Sequence, residues 1–218
     1  EKLMMIRNYP VTRISVNPQT MNQETLDIIG RRHTVQETEQ AFKLARECGF
    51  DNINMDLIVG LPGEDKAMVE HTLEEVRRLA PDSLTVHSLA VKRAARLNMF
   101  KDKYQEMTFE NNQEIMDMTM KTAYEMEMGP YYLYRQKNMK GNFENVGYAK
   151  VDKAGIYNIL IMEEKQPIIA LGAGGSSKLV FDHGRRIERA ENVKDVTNYI
   201  SRIDEMIERK RAGIQKWL

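Results

Sequence analysis

Cysteine is nearly missing from this sequence: Cys48 stands alone among 218 residues. One thiol excludes an internal disulfide framework and suits a reducing compartment, so a cytoplasmic location is expected. Excess charge of either sign is missing too, with Lys plus Arg at 32 and Asp plus Glu at 32. That balance leaves no electrostatic footprint for nucleic acid or for an anionic membrane surface. No run of about 18 apolar residues occurs, so no segment reads as a membrane-spanning helix. The opening Glu1-Lys2-Leu3-Met4-Met5 lacks the layout of a signal peptide and is expected to be a boundary inside a longer protein. What is there is the material of a packed core, with 42% hydrophobic and 29% charged residues. Most of the fifteen methionines read as core filler. Cys48, ahead of Gly49 at the end of a helical pattern, reads as a small core residue beside a C-capping glycine rather than a catalytic thiol.

Up to about Ala90 the chain alternates strand and helix. Thr12 to Val16 reads as a strand, Gln23 to Ile29 as a short helix, and Gly30-Arg31-Arg32-His33 as its end. Thr34 with Glu37 three residues on is a capping box, opening a helix that Gly49 closes. Asn52 to Val59 is a second strand, Lys66 to Leu79 a helix, and Leu84 to Leu89 a third strand. This βαβαβ order predicts a parallel sheet. Lys92 to Arg96 reads as a linker. Beyond it the spacing predicts a long helix over 109–128, stopped by Gly129-Pro130, then a strand over 131–134 and a polar loop to Gly147. Short strands are expected at 156–162, 168–171, 178–181 and 186–188, and a final amphipathic helix at 193–212. The domains expected are 1–98, α/β, and 99–218, α+β.

Parallel strands covered on both faces read as continuous apolar runs. These do not. Thr12, Ile14 and Val16 alternate with Arg13, Ser15 and Asn17; Ile53, Met55, Leu57 and Val59 alternate with Asn52, Asn54 and Asp56; Leu84 and Val86 alternate with Thr85 and His87. One face suits helix packing and the other is polar, which implies a wet or ligand-filled cavity or a face open to solvent. In parallel barrels the functional groups gather at the C-terminal strand ends. Here those are 17–19, 56–60 and 88–90.

The stretch Arg13-Ile14-Ser15-Val16-Asn17-Pro18-Gln19-Thr20, with Gly30-Arg31-Arg32-His33-Thr34, resembles the central region of the oxygen-independent coproporphyrinogen III oxidase-like radical S-adenosylmethionine (SAM) proteins. So do residues 49–63, from Gly49-Phe50-Asp51 to Gly60-Leu61-Pro62-Gly63, and Leu84-Thr85-Val86-His87-Ser88-Leu89. The likeness is dense over roughly residues 10 to 90. Residues 134–148, with Tyr134-Arg135-Gln136-Lys137-Asn138 and Glu144-Asn145-Val146-Gly147-Tyr148, resemble the coproporphyrinogen dehydrogenase-like branch. The fold implied is part of a parallel, TIM-like (β/α) radical SAM barrel followed by an α+β C-terminal domain.

The resemblance further implies a 4Fe–4S cluster held by a CxxxCxxC motif, reductive cleavage of SAM, and hydrogen abstraction from the propionates of coproporphyrinogen III, whose decarboxylation yields vinyl groups in protoporphyrinogen IX. That motif is not in these residues. The cluster ligands are expected outside the chain, which by itself should be inactive, with no catalytic or metal-ligating residue of its own. Three side chains carry over as cofactor contacts: Gln19 and Asp56 toward ribose hydroxyls, and Arg31 toward the methionyl carboxylate. Ala90 carries over as a backbone contact. Arg31 reads also, less strongly, as a cation answering a helix dipole, with Arg32 competing for its role. Asp56 is the hardest to explain structurally, because burying an unpaired carboxylate is costly. Arg135, Gln136 and Asn138, with the neighbouring tyrosines, are expected either to line a substrate groove or to form a solvated loop. Leu171 to Lys178 resembles a glycine-rich loop near the family's active site and reads also as a hairpin turn; it lacks P-loop spacing. His87 is the one histidine expected on the inner face. The partners implied are a porphyrinogen-like substrate and an external electron donor, with no nucleic acid or membrane. A haem-binding chaperone built on the same barrel is the alternative function.

Overall fold

Alternating hydropathy in three strands decides how the first part of the chain folds. In the computed structural model, which describes residues 1–89, 111–134 and 143–217, two compact units form, Glu1–Gly155 and Ile156–Leu218. The first begins with a short helix α1 (Lys2–Arg7), followed by β1 (Ile14–Ser15), α2 (Gln23–Ile28), α3 (Val35–Glu47), β2 (Ile53–Val59), α4 (Lys66–Leu79) and β3 (Ser83–Ser88). It continues with α5 (Gln113–Glu125), β4 (Gly129–Tyr134) and β5 (Asn145–Ala149). The five strands make one sheet in the order β1-β2-β3-β5-β4. β1, β2 and β3 run parallel, whereas β5 joins β3 antiparallel and β4 pairs antiparallel with β5. The parallel βαβαβ expectation therefore holds for the first three strands.

The helices start and stop where local chemistry dictates. The Thr34 hydroxyl accepts from the Glu37 amide while the Glu37 carboxylate accepts from the Thr34 amide, which completes the expected capping box of α3. Gly49 follows at φ +85°, a left-handed turn that glycine adopts without strain. Asp65 caps α4 by accepting from the Met68 amide. The core lies between the helices and the apolar sheet face: Ile53, Met55, Leu57, Val59, Leu84 and Val86 pack in one buried cluster with Phe42, Ala45, Val69, Leu73, Val76 and Ile115. Each of the larger side chains, fully buried, contributes about 1.5–3 kcal/mol. Asp82 ties the strand starts together, accepting from Arg46 Nη1 at 2.7 Å and from the Ile53 amide at 2.8 Å.

The second unit holds α6 (Ile156–Met162), a β6–β7 hairpin (Ser176–Phe181, Arg186–Glu191), α7 (Val196–Ser201) and α8 (Ile203–Trp217). Met206 and Leu179 are its most buried apolar side chains. The glycine-rich stretch forms the turn into β6, held by the Asn192 side-chain amide, which donates to the Gly172 carbonyl at 2.7 Å.

Several expectations are corrected here. Residues 156–162 are a helix, not a strand, since a short apolar run carries no decisive period. The supposed polar loop ending at Gly147 runs into β5, whose five residues are all buried. Ile168 makes only an isolated bridge to Lys178. The last helix is two, broken at Arg202. The compact units divide at 155/156, with α5, β4 and β5 in the first unit. Residues 98 and 99 themselves lie outside the described residues.

Candidate functional site

The polar face of the sheet is a bonded network. Asn54, 2% exposed, is its hub. Its side-chain oxygen accepts from the Ser83 and Thr85 hydroxyls, each at 3.2 Å, and its amide nitrogen donates to Asp56 Oδ1 at 2.6 Å. The same nitrogen reaches Ser15 Oγ at 3.4 Å, so all three parallel strands are tied through one side chain. Arg13 Nη2 donates to Ser83 Oγ at 3.1 Å, at the end where the strands begin. These contacts satisfy buried polar groups that would otherwise be costly in a strand interior.

Register builds a row across four strands. Asp56 stands opposite Thr85, Thr85 opposite Gly147, and Gly147 opposite Tyr132. The row has room for the Tyr132 ring only because residue 147 is glycine: a Cβ there would meet the ring at 2.0 Å. A register shift between Pro130 and Tyr132 accompanies an edge-on contact of the Tyr131 and Tyr132 rings, 4.9 Å apart. Burial pushes the Tyr132 phenol above the ordinary tyrosine range, with the Thr85 hydroxyl opposing. His87, two residues along from Thr85, is held below the usual histidine range by burial, and the Asp56 charge works against that shift. Asp56 Oδ2 has no hydrogen-bond partner among the described residues.

Gln19 reaches β2 from the loop after β1, standing opposite Leu57 of the apolar alternation, and its side-chain nitrogen donates to the Asn17 carbonyl at 3.4 Å. Its amide donates to the Asp56 carbonyl at 3.1 Å, and its carbonyl accepts from the Ile58 amide at 2.9 Å. Continuing the Ser15–Asn54 register would set Pro18 against Leu57; Gln19 takes that place instead, a slip of one residue. The slip goes with a left-handed backbone at Gln19, φ +68°, in a residue only 9% exposed. Non-glycine residues in that region are disfavoured and cluster at functional sites. Arg31 is exposed on the loop after α2, with no ion pair among the described residues. Its loop returns to the Gln19 turn through His33, whose Nε2 lies 3.3 Å from the Pro18 carbonyl.

Gln19 and Asp56 are thus neighbours through the backbone, and Arg31 sits on an adjoining loop. Ala90, Arg135, Gln136 and Asn138 lie outside the described residues. The sequence reading overlooked Asn54 as a hub, Gly147 as the gap for Tyr132, and Glu64. The first two carried a signal, a second amide on the Asp56 face and a glycine inside a strand.

A carboxylate, a glutamine and an exposed arginine are the kinds of group that could meet ribose hydroxyls and an amino-acid carboxylate. An iron–sulfur cluster does not fit. Cys48 is the one cysteine, it caps α3, and its nearest polar contact is Met4 Sδ at 3.6 Å. Among the described residues no group of His, Cys, Asp and Glu is placed to hold a metal ion, and no helix is long and apolar enough to cross a membrane.

Residues 1–76 match the model of the radical SAM superfamily. The chain is 45% identical over 210 residues, 96% of its length, to the oxygen-independent coproporphyrinogen-III oxidase-like protein HemZ of Bacillus subtilis, of which it covers 42%. It is 37% identical over 92 residues, 42% of its length, to the heme chaperone HemW of the same organism, covering 24% of that protein. Among solved structures, coproporphyrinogen III oxidase (HemN) from Escherichia coli superposes with a TM-score of 0.67 at 20% identity, over 94% of this chain and 46% of that one. At that identity the likeness shows the fold. The chain spans less than half the length of these relatives.

Proposed function

We propose that the chain, which matches the radical SAM superfamily over residues 1–76 and is 45% identical to an oxidase-like relative, forms the SAM-facing and substrate-facing part of an oxidoreductase acting on a porphyrinogen. The single observation that carries this reading is the polar row Asp56–Thr85–Gly147–Tyr132, with the left-handed Gln19 bonded to the Asp56 backbone. In this reading Asp56 and Gln19 hold the ribose hydroxyls, Arg31 pairs with the methionyl carboxylate, and the Ala90 backbone completes the cofactor contacts. When bound, SAM supplies the radical chemistry of the superfamily, with a 4Fe–4S cluster whose ligands lie outside these residues. The chain's own residues orient the adenosyl group and keep water from it, which is what a protein contributes to cofactor chemistry. Arg135, Gln136 and Asn138 are proposed to meet the substrate, with Tyr132 beneath it and Arg135 paired to a propionate. Reducing equivalents come from an external donor.

A porphyrinogen is favoured as substrate because the likeness to the oxidase-like relative runs through 96% of the chain, beyond the 92 residues shared with the heme chaperone. The test is anaerobic turnover by the full-length protein, with its cluster reconstituted, supplied with coproporphyrinogen III and a reductant. Formation of 5′-deoxyadenosine together with decarboxylated product is expected. Tight haem binding with no decarboxylation would replace this reading by the chaperone one.

A further inference from the structure

Glu64 is a buried carboxyl group that the proposed chemistry does not use. It is 2% exposed, follows the Gly60–Gly63 turn at the end of β2, and no cation pairs with it among the described residues. Its Oε1 instead accepts from two donors more than forty positions away: the Thr20 hydroxyl at 2.5 Å and the Asn22 side-chain amide at 3.0 Å. The same Asn22 nitrogen reaches the Met68 carbonyl at 3.0 Å and Thr72 Oγ1 at 3.1 Å, while the Met21 amide donates to Thr72 Oγ1 at 3.1 Å. Thr20, Met21 and Asn22 are therefore each fastened to Glu64 or to α4. They are the three residues directly after Gln19.

That adjacency matters because of the backbone at Gln19. A buried non-glycine residue at φ +68° persists only where its surroundings over-determine it. On one side Gln19 is clamped to β2 through its own amide and carbonyl. On the other side the clamp is the Glu64 cluster. A cavity of only about 10 Å³ lies among Thr20, Leu57, Glu64, Val69 and Thr72, at most the room for one water, so no ligand reaches the carboxyl. Burial pushes the Glu64 acid above the ordinary carboxylate range, in the same direction as the charge of adjacent Asp65; the hydroxyl and amide donors oppose both.

We propose that Glu64 is a positioning residue, a buried acceptor that holds the Gln19 turn in the left-handed geometry needed to meet SAM without touching the cofactor. This rests on the assignment of Gln19 and Asp56 as cofactor contacts. Glutamine at position 64 preserves an acceptor oxygen of the same reach; alanine does not.

The test uses the full-length protein and two readouts, amide hydrogen exchange at residues 19–22 and the dissociation constant for SAM. Glu64→Ala is expected to speed exchange at Met21 and Asn22 and to weaken SAM binding, each at least about tenfold. Glu64→Gln is expected to leave exchange slow and SAM affinity within about threefold of wild type. Should the alanine variant fail to fold, Thr20→Val removes only the donating hydroxyl and is expected to move both readouts in the same direction. Faster exchange with unchanged SAM affinity overturns the proposal, and so does unchanged exchange in Glu64→Ala. Asp56→Asn separates this from the underlying assignment: it is expected to weaken SAM binding with exchange at 20–22 unaltered. Unaltered SAM affinity in that variant would overturn the assignment itself.

Discussion

The two faces of the five-stranded sheet are built from the same strands and differ in kind. On one, Ile53, Met55, Leu57 and Val59 of β2 and Leu84 and Val86 of β3 meet the helices in a dry cluster. On the other, Asn54 and Asp56 alternate with them, and Asn54 is bonded to Ser15, Ser83, Thr85 and Asp56. The first face holds the molecule together through non-directional burial. The second spends strand positions on directional bonds that add modest net stability and fix side chains in place. A parallel sheet that needed only to be stable would be apolar on both sides.

The comparison breaks if substitutions on the two faces act alike. Leu57→Ala, on the dry face, is expected to lower stability by about 2–5 kcal/mol, measured by denaturant unfolding, and to change ligand affinity only through the folded fraction. Asn54→Ala should cost about 1–3 kcal/mol by stranding the Ser83 and Thr85 hydroxyls, and should also release Asp56, so that SAM affinity falls beyond the stability loss. Gly147→Ala is expected to cost about 1–3 kcal/mol as the Tyr132 ring is driven out of its row. Its signature is a changed Tyr132 environment in near-ultraviolet circular dichroism. Arg77→Ala, which removes an exposed pair with Glu125 at 3.2 Å between α4 and α5, should cost at most about 1 kcal/mol and leave ligand binding alone.

A pH titration sharpens the same contrast. The His87 pKa is lowered by burial, so the unfolded chain binds its proton more readily than the folded one. Stability is therefore expected to fall as pH drops through the ordinary histidine value of 6.5 toward the lower folded one, and His87→Gln should flatten that part of the profile. Glu64 acts in the opposite sense. Its raised pKa means that its contribution is fully present below 4.5 and is lost as pH rises through the folded value.

How much of this was legible beforehand follows from what kind of signal each element leaves. The βαβαβ order, the capping box at Thr34 and the polar face of β2 and β3 were readable because period-two hydropathy and cap chemistry are local. The strand Asn145–Ala149 was not, since its alternation rests on only Val146 and Tyr148 and its glycine, which reads as a turn, makes room for the Tyr132 ring of β4. Residues 156–162 were misread because a seven-residue apolar run fits helix and strand equally. In the site, Gln19, Arg31 and Asp56 were named from resemblance, and the structure sets Gln19 and Asp56 side by side through the backbone. Glu64 left no local mark: its meaning lies entirely in contacts with Thr20 and Asn22, which only folding creates.

The most direct test is a crystal structure of the full-length protein with SAM bound. The account predicts the ribose hydroxyls within hydrogen-bonding distance of the Asp56 carboxylate, with Gln19 still left-handed beside it. An adenosyl group bound against another part of the chain, with the Asp56 carboxylate still facing only Asn54, would contradict it.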